Sequence, residues 1–206
     1  MKITSKRLRL AFRSPGHLLW AIRHVLRSGP AGAIERSWPG GYALKPGLIT
    51  VNITGRCNLR CEMCMQPRDG SGESDSATVG ATAVRGELSV EQWRTVIDQA
   101  APAKPAFYFT GGEPLLYKGL CELLAHIKRR GMIAAMVTNG TTLARHASDL
   151  VAAGVDNVTV SLDGPEATHD TIRGATGTFR RAAEGIAALR EARARAGSRY
   201  PTIKAN

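Results

Sequence analysis

The sequence predicts an α/β fold on a parallel sheet, and two observations carry that prediction. From residue 48 onward, short apolar runs of strand length alternate with longer amphipathic segments in the order βαβαβαβα. Directly after each of the four runs stand small, polar or thiol-bearing residues rather than ordinary turn sequences. Strands alternating with helices join as parallel neighbours through right-handed crossovers, with both faces of the sheet covered. A doubly wound open sheet and a barrel fit this alternation equally, and in either one ligands gather at the carboxyl ends of the strands.

The elements follow in order. "LITVNI" (48–53) is the first strand, and "RDGSGESDSATVGATAVRG" (68–86) reads as a polar loop too long for a tight connection. "LSVEQWRTVIDQAA" has Ser89 as its cap and Val90, Trp93, Val96 and Ile97 on one face, which predicts a helix. "AFYFT" is a short buried strand. "YKGLCELLAHIKRRG" is a helix ended by Gly131, "MIAAMVT" a strand, and "TLARHASDLVAAG" a helix ended by Gly154. "VDNVTVSL" is a strand, "GTFRRAAEGIAALREARARAG" a long helix, and the final "PTIKAN" opens a fifth strand. Upstream, "SGPAGAIERSWPGGYALKPG" (28–47) reads as a Gly- and Pro-rich linker.

Composition narrows the class. A chain of 206 residues with 43% hydrophobic content can bury the core of one domain with a short appendage. No apolar run approaches the roughly 18–20 residues of a membrane span, and the N-terminus lacks a signal-peptide core, so a cytoplasmic location is expected. In that compartment four cysteines point to metal binding or catalysis rather than disulfides. The net charge of +11 is concentrated at the start, where residues 1–34 hold no Asp or Glu but carry Lys2, Lys6, Arg7, Arg9, Arg13, Arg23 and Arg27. "HLLWAIRHVLR" (17–27) is a basic amphipathic helix that could contact an anionic membrane surface, although packing of its apolar stripe on the domain is the preferred reading. Arginine is abundant elsewhere too, so the charge predicts no nucleic-acid partner.

The residues after the four strands carry the chemistry. Strand one leads into Cys57, Cys61 and Cys64 at C-x₃-C-x₂-C spacing, strand two into "GGEP" (111–114), strand three into "NGT" (139–141), and strand four into Ser161, Asp163 and Gly164. A closed zinc site would need a fourth ligand. Cys121 is the candidate, but it falls inside a helix beside Leu120 and Leu123, where a buried inert thiol is expected. Gly111 and Gly112 suit either a turn or a close backbone approach to a ligand, and Pro114 biases Glu113 toward extended geometry. Thr138 and Asn139 suit a cap on the helix beginning near Thr142, Asp163 an Asx turn, and Arg173 a solvated loop position. The five histidines show no spacing that assigns them a role, and there is neither a P-loop nor a GxGxxG strand-turn-helix.

"CNLRCEMC", "TGGEPLL", "VTNGT" and "SLDG", in this order from about residue 46 to the C-terminus, resemble the radical S-adenosylmethionine (radical SAM) superfamily. They are similar in particular to its peptide- and protein-maturing members of SPASM type and to the molybdenum-cofactor cyclases. The resemblance implies an incomplete parallel (β/α) partial TIM barrel of about four strands plus the start of a fifth, with residues 1–45 as a basic helical extension and linker and 46–206 as a radical SAM domain truncated at its C-terminus. It implies a [4Fe-4S] cluster on Cys57, Cys61 and Cys64 with one iron left for the amino and carboxylate groups of S-adenosylmethionine, which the reduced cluster cleaves to a 5′-deoxyadenosyl radical. Gly111, Gly112, Glu113 and Pro114 would contact the cofactor's amino group. Thr138, Asn139, Ser161 and Asp163 would line its site, Arg173 would reach its carboxylate, and the backbone of Met63 would meet the adenine.

The implied partners are a reductant such as flavodoxin or ferredoxin and a peptide, protein or small-molecule substrate for hydrogen abstraction. Peptide or protein maturation leads, and cofactor or lipid biosynthesis follows. The alternative of another class is a non-catalytic iron–sulfur or zinc module.

Overall fold

The computed structural model describes residues 45–64 and 86–206. The amphipathic helix expected over 17–27 and the polar loop expected from residue 68 lie outside the described residues. Among the described residues one parallel sheet of five strands forms in the order β1-β2-β3-β4-β5, with β1 Leu48–Thr54, β2 Ala106–Gly111, β3 Ile133–Thr138, β4 Asn157–Val160 and β5 Thr202–Ala205. The helices between them are α1 Val90–Ala100, α2 Leu120–Arg129, α3 Leu143–Ala152, α4 Glu166–Arg173 and α5 Thr178–Arg195.

This strand order decides between the two architectures left open by the alternation. A doubly wound sheet must reverse its winding to put helices on both faces, whereas successive right-handed crossovers between sequential neighbours put every helix on one face. The register shows the consequence. Val51, Phe109, Met136, Val158 and Ile203 lie side by side across the sheet, and the first four of them are buried in the core shared with the helices. One residue earlier, Tyr108, Ala135 and Asn157 form the matching row on the opposite face and are only half-buried, with Thr50 beside them exposed. The expectation of two covered faces is thereby corrected: the sheet is the wall of an open partial barrel.

Helices α1, α2, α3 and α5 contribute apolar residues to the covered face. Leu120, Leu123, Leu124 and Ile127 do so from α2, Leu143, Ala147 and Leu150 from α3, and Ala182, Leu189 and Ala192 from α5. Ser89 caps α1 through a capping box with Gln92, as its sequence predicts. Of the four residues assigned to its inner face, Ile97 is fully buried while Val96 is exposed, because the short helix turns a narrower stripe inward. β4 begins later than its apolar run. The buried Asp156 ahead of it accepts Lys128 Nζ at 2.6 and 2.7 Å and the Ala134 amide at 2.9 Å, so its side chain replaces a ladder bond at the entry to the sheet.

Helix α4 is absent from the sequence reading. Its inward face consists of His169 and Arg173 rather than aliphatic residues, so no apolar period marks it. It is coupled to α5 by Asp170, which accepts from the Gly177 amide at 2.5 Å, the Thr178 hydroxyl at 2.6 Å and the Phe179 amide at 2.9 Å. The α5 N-terminus has no side-chain cap of its own, and a carboxylate there also meets the positive end of the helix dipole. The Thr178 hydroxyl first, then the Phe179 amide, hold the Asp170 carboxyl well below its usual range, at about 2. A depressed folded-state value contributes stability above the unfolded pKa and loses it as pH falls through the folded one. Asp170→Ala is therefore expected to lower the melting temperature at pH 7, with the gap to the parent closing between about pH 4 and pH 2; thermal melts across that range check it.

Candidate functional site

The site is built where the strands end. β1 carries a register irregularity between Asn52 and Thr54, and its chain then leaves the sheet as the cysteine loop. Two main-chain hydrogen bonds fasten that loop to the next strand: the Gly112 amide donates to Thr54 O and the Glu113 amide to Arg56 O, both at 2.8 Å. The glycines answer to this approach. A Cβ on Gly111 would stand 2.4 Å from Thr54 O, and one on Gly112 would stand 2.2 Å from Arg56 O. The chain that comes close to this pair is the protein's own cysteine loop.

Glu113 is fully buried, with the extended backbone its following proline imposes. One carboxylate oxygen accepts the Thr138 hydroxyl at 2.7 Å and the Leu115 amide at 3.1 Å, and the other accepts the Asn139 amide at 2.7 Å. Burial pushes this carboxyl above its usual range, while the three donors and the Arg173 charge pull it back. Glu113 thus ties the end of β2 to the end of β3 through its side chain and to the cysteine loop through its amide. Buried Pro114 opens the short 3₁₀ turn Pro114–Leu116 that follows.

Thr138 and Asn139 do not cap the next helix. Thr142 occupies the cap position without a side-chain bond, and Thr138 is used by Glu113. The Asn139 side chain faces the cysteine loop. Its Nδ2 lies 3.0 Å from Asn58 Oδ1 and 4.0 Å from Cys57 Sγ, and its Oδ1 accepts the Thr141 amide and hydroxyl at 2.9 and 2.6 Å. Asn58 returns a bond to the Thr141 hydroxyl at 2.8 Å. The motif after β3 and the residue after the first cysteine therefore form one amide–hydroxyl network.

On the other flank, Arg173 is buried at the end of α4 and corrects the solvated-loop reading. Its Nε and Nη2 grip Asp163 at 2.6 and 2.9 Å, and its Nη1 lies 3.8 Å from Cys61 Sγ. Burial works against this charge, but Asp163 and Cys61 outweigh it and hold the guanidinium more basic than usual. Asp163 is thus an ion-pair partner rather than a simple Asx-turn residue. Ser161 is half-buried just beyond β4, its amide donating to Thr138 O at 3.0 Å.

The three thiols differ in setting. Cys61 is buried, Cys57 and Cys64 are exposed, and the Cys64 amide closes a turn on Cys61 O at 3.2 Å. Exposed Met63 lies between them. Partial burial pushes the Cys57 thiol up, and the negative charges of Glu113 and the other two thiols add to it. Among the described residues no group of three His, Cys, Asp or Glu side chains is assembled as a ready site for a single metal ion. The donor set suits a cluster: three thiols on one short loop, two with nitrogen donors beside their sulfurs, can bind separate iron atoms. Cys121 does not join them. It lies in α2 against the core, and burial pushes its thiol up to about 11, which disfavours the thiolate a metal needs.

Several contributors lie outside the sequence-predicted set. Glu87 accepts from Thr54 and, at 2.8 and 2.9 Å, from Arg56, holding the entry of the cysteine loop. Asn58, Thr141 and His169 are the others. For His169 a signal existed, since it stands one helical turn before Arg173 on the same face.

The Radical SAM superfamily model matches residues 51–204. The chain is 36% identical over 165 residues to Fe-coproporphyrin III synthase of Methanosarcina barkeri, covering 79% of this chain and 38% of that protein. It is 32% identical over 148 residues to PqqA peptide cyclase of Xanthomonas axonopodis pv. citri, covering 70% of this chain and 37% of that protein. The chain thus spans well under half the length of these relatives. A crystal structure of Streptococcus suis SuiB bound to precursor peptide SuiA shares the fold, with a TM-score of 0.59 at 14% identity over 98% of this chain and 43% of that one.

Two substitutions test the rim. Glu113→Ala leaves three buried donors without an acceptor and is expected to reduce unfolding stability by about 2–4 kcal/mol, measured by urea denaturation. Gly112→Ala forces the cysteine loop away from β2, so iron uptake on anaerobic reconstitution is expected to fall well below that of the parent, measured as iron and sulfide bound per chain.

Proposed function

The chain belongs to the radical SAM superfamily, and we propose that the rim described above is the radical-generating site of an enzyme of that family. Superfamily members bind S-adenosylmethionine and an iron–sulfur cluster. The observation that carries the proposal is the joining of the three-cysteine loop to the GGEP and NGT segments by Glu113 and Asn139. When bound, a reduced [4Fe-4S] cluster supplies one electron to the sulfonium, giving methionine and a 5′-deoxyadenosyl radical that abstracts hydrogen from a substrate.

In this reading Cys57, Cys61 and Cys64 would hold the cluster, three thiolates that would leave one iron for the cofactor. The amides of Gly112 and Glu113 and the Glu113 carboxylate are occupied within the protein. Contact with the cofactor ammonium is assigned to main-chain carbonyls of the Gly111, Gly112, Glu113, Pro114 segment, of which those of Glu113 and Pro114 also accept the Leu116 and Tyr117 amides at 3.0 Å. Ser161 and the free N–H groups of Arg173 are the candidates for its carboxylate, with Asp163 orienting the arginine. Thr138 and Asn139 act mainly by holding the rim, and the Met63 backbone remains the candidate for the adenine. A flavodoxin or ferredoxin would be the electron donor.

The similarity to Fe-coproporphyrin III synthase is higher and longer than that to PqqA peptide cyclase. It moves a small-molecule cofactor precursor of tetrapyrrole type ahead of a peptide as the proposed substrate class, with peptide maturation second. No described helix is long and apolar enough to cross a membrane.

Anaerobic reconstitution with iron and sulfide, reduction with dithionite and chromatographic detection of 5′-deoxyadenosine test the radical-generating role. Cleavage that Cys57→Ala abolishes is the expected result. Tight zinc binding without an iron–sulfur cluster would overturn it and favour the non-catalytic module.

A further inference from the structure

Resting on that reading and going beyond it, we propose that Arg173 is a positioning residue for Cys61 that raises the reduction potential of the iron–sulfur cluster, with Asp163 and His169 holding it in place. Cys61 is the buried thiol of the three, so water cannot compensate charge on its sulfur as it can at exposed Cys57 and Cys64. Arg173 supplies that compensation from inside the protein, with Nη1 3.8 Å from the sulfur. A guanidinium is a rigid fork of donors, and here Asp163 fixes its orientation through Nε and Nη2, which aims Nη1 at Cys61 and leaves one N–H on each terminal nitrogen free.

Asp163 is fixed in turn. Its amide donates to Nδ1 of His169 at 3.2 Å. His169 is fully buried with its ring edge against Phe179, the centroids 5.7 Å apart. Its Nε2 has no hydrogen-bond partner. This assembly is more than a brace for the loop, because the Glu62 amide already pins the loop to Ile172 O at 3.0 Å. What Arg173 adds is a positive donor at a ligand sulfur, and such donors favour the reduced, more negative state of an iron–sulfur centre.

The test compares the reconstituted parent chain with Arg173→Lys and Arg173→Met, measuring bound iron and sulfide and then the midpoint potential by an EPR-monitored redox titration without S-adenosylmethionine. Lysine keeps the charge but cannot span Asp163 and Cys61 together. Both variants are expected to take up the parental amount of cluster and to disfavour its reduction about tenfold, a fall of about 59 mV for one electron. Parental potentials in both variants would overturn the inference, as would a fall in the methionine variant with none in the lysine variant, which would mean that charge alone acts. If the methionine variant fails to load, the lysine variant decides. A parent chain that binds no cluster defeats the proposed function itself, a result distinct from loaded variants with unchanged potentials.

Discussion

The buried carboxylate of Glu113 is the constraint on which the rim depends. Removing an ionised carboxyl from water costs several kcal/mol, and it is tolerated where charge-assisted hydrogen bonds replace the lost hydration. Here the replacements come from the 3₁₀ turn and from the end of β3, while the Glu113 amide serves the cysteine loop. Three segments distant in sequence are thereby held by one residue. Because each of its donors is itself buried or half-buried, loss of the carboxylate strands several polar groups at once rather than weakening one contact.

Around that point the sheet sets the geometry. Sequential strand order and right-handed crossovers put α1, α2, α3 and α5 against one face of the sheet. The covered face is filled by a continuous apolar row, and the opposite face stays half-open and more polar. Parallel strands also end on a common side, so residues following β1, β2, β3 and β4 meet without any direct sequence proximity. This is why short motifs separated by tens of residues build one site.

The rim then divides the work among unlike thiols. Exposed Cys57 has an amide donor beside it, from a network shared by Asn58, Asn139 and Thr141. Buried Cys61 has a charged donor, from an arginine fixed by Asp163. A neutral amide suffices where solvent reaches the sulfur, and a cation is used where it does not. The loop's entry is separately secured by Arg56 and Thr54 on Glu87. The polar contacts thus orient the thiols, while the aliphatic core beneath supplies the rigidity.

The sequence by itself determined the alternation of strands and helices, the cap at Ser89, the stops at Gly131 and Gly154, and the three-cysteine motif with its companions. Each of these is written in local patterns: apolar periodicity, a cap three residues from its partner, a glycine where the chain must turn. Apolar alternation left the strand order open and the motif resemblance pointed to a partial barrel; the tertiary structure shows the sequential order and the one-sided wall that goes with it. It alone showed that Asn139 faces Asn58, that Arg173 lies in a helix rather than a loop, and that Asp170 caps a helix other than its own. Those facts depend on polar groups meeting across long separations in the chain. A hydrogen bond between residues 58 and 139 leaves no periodicity to read, and a helix whose buried face is a histidine and an arginine leaves no apolar stripe.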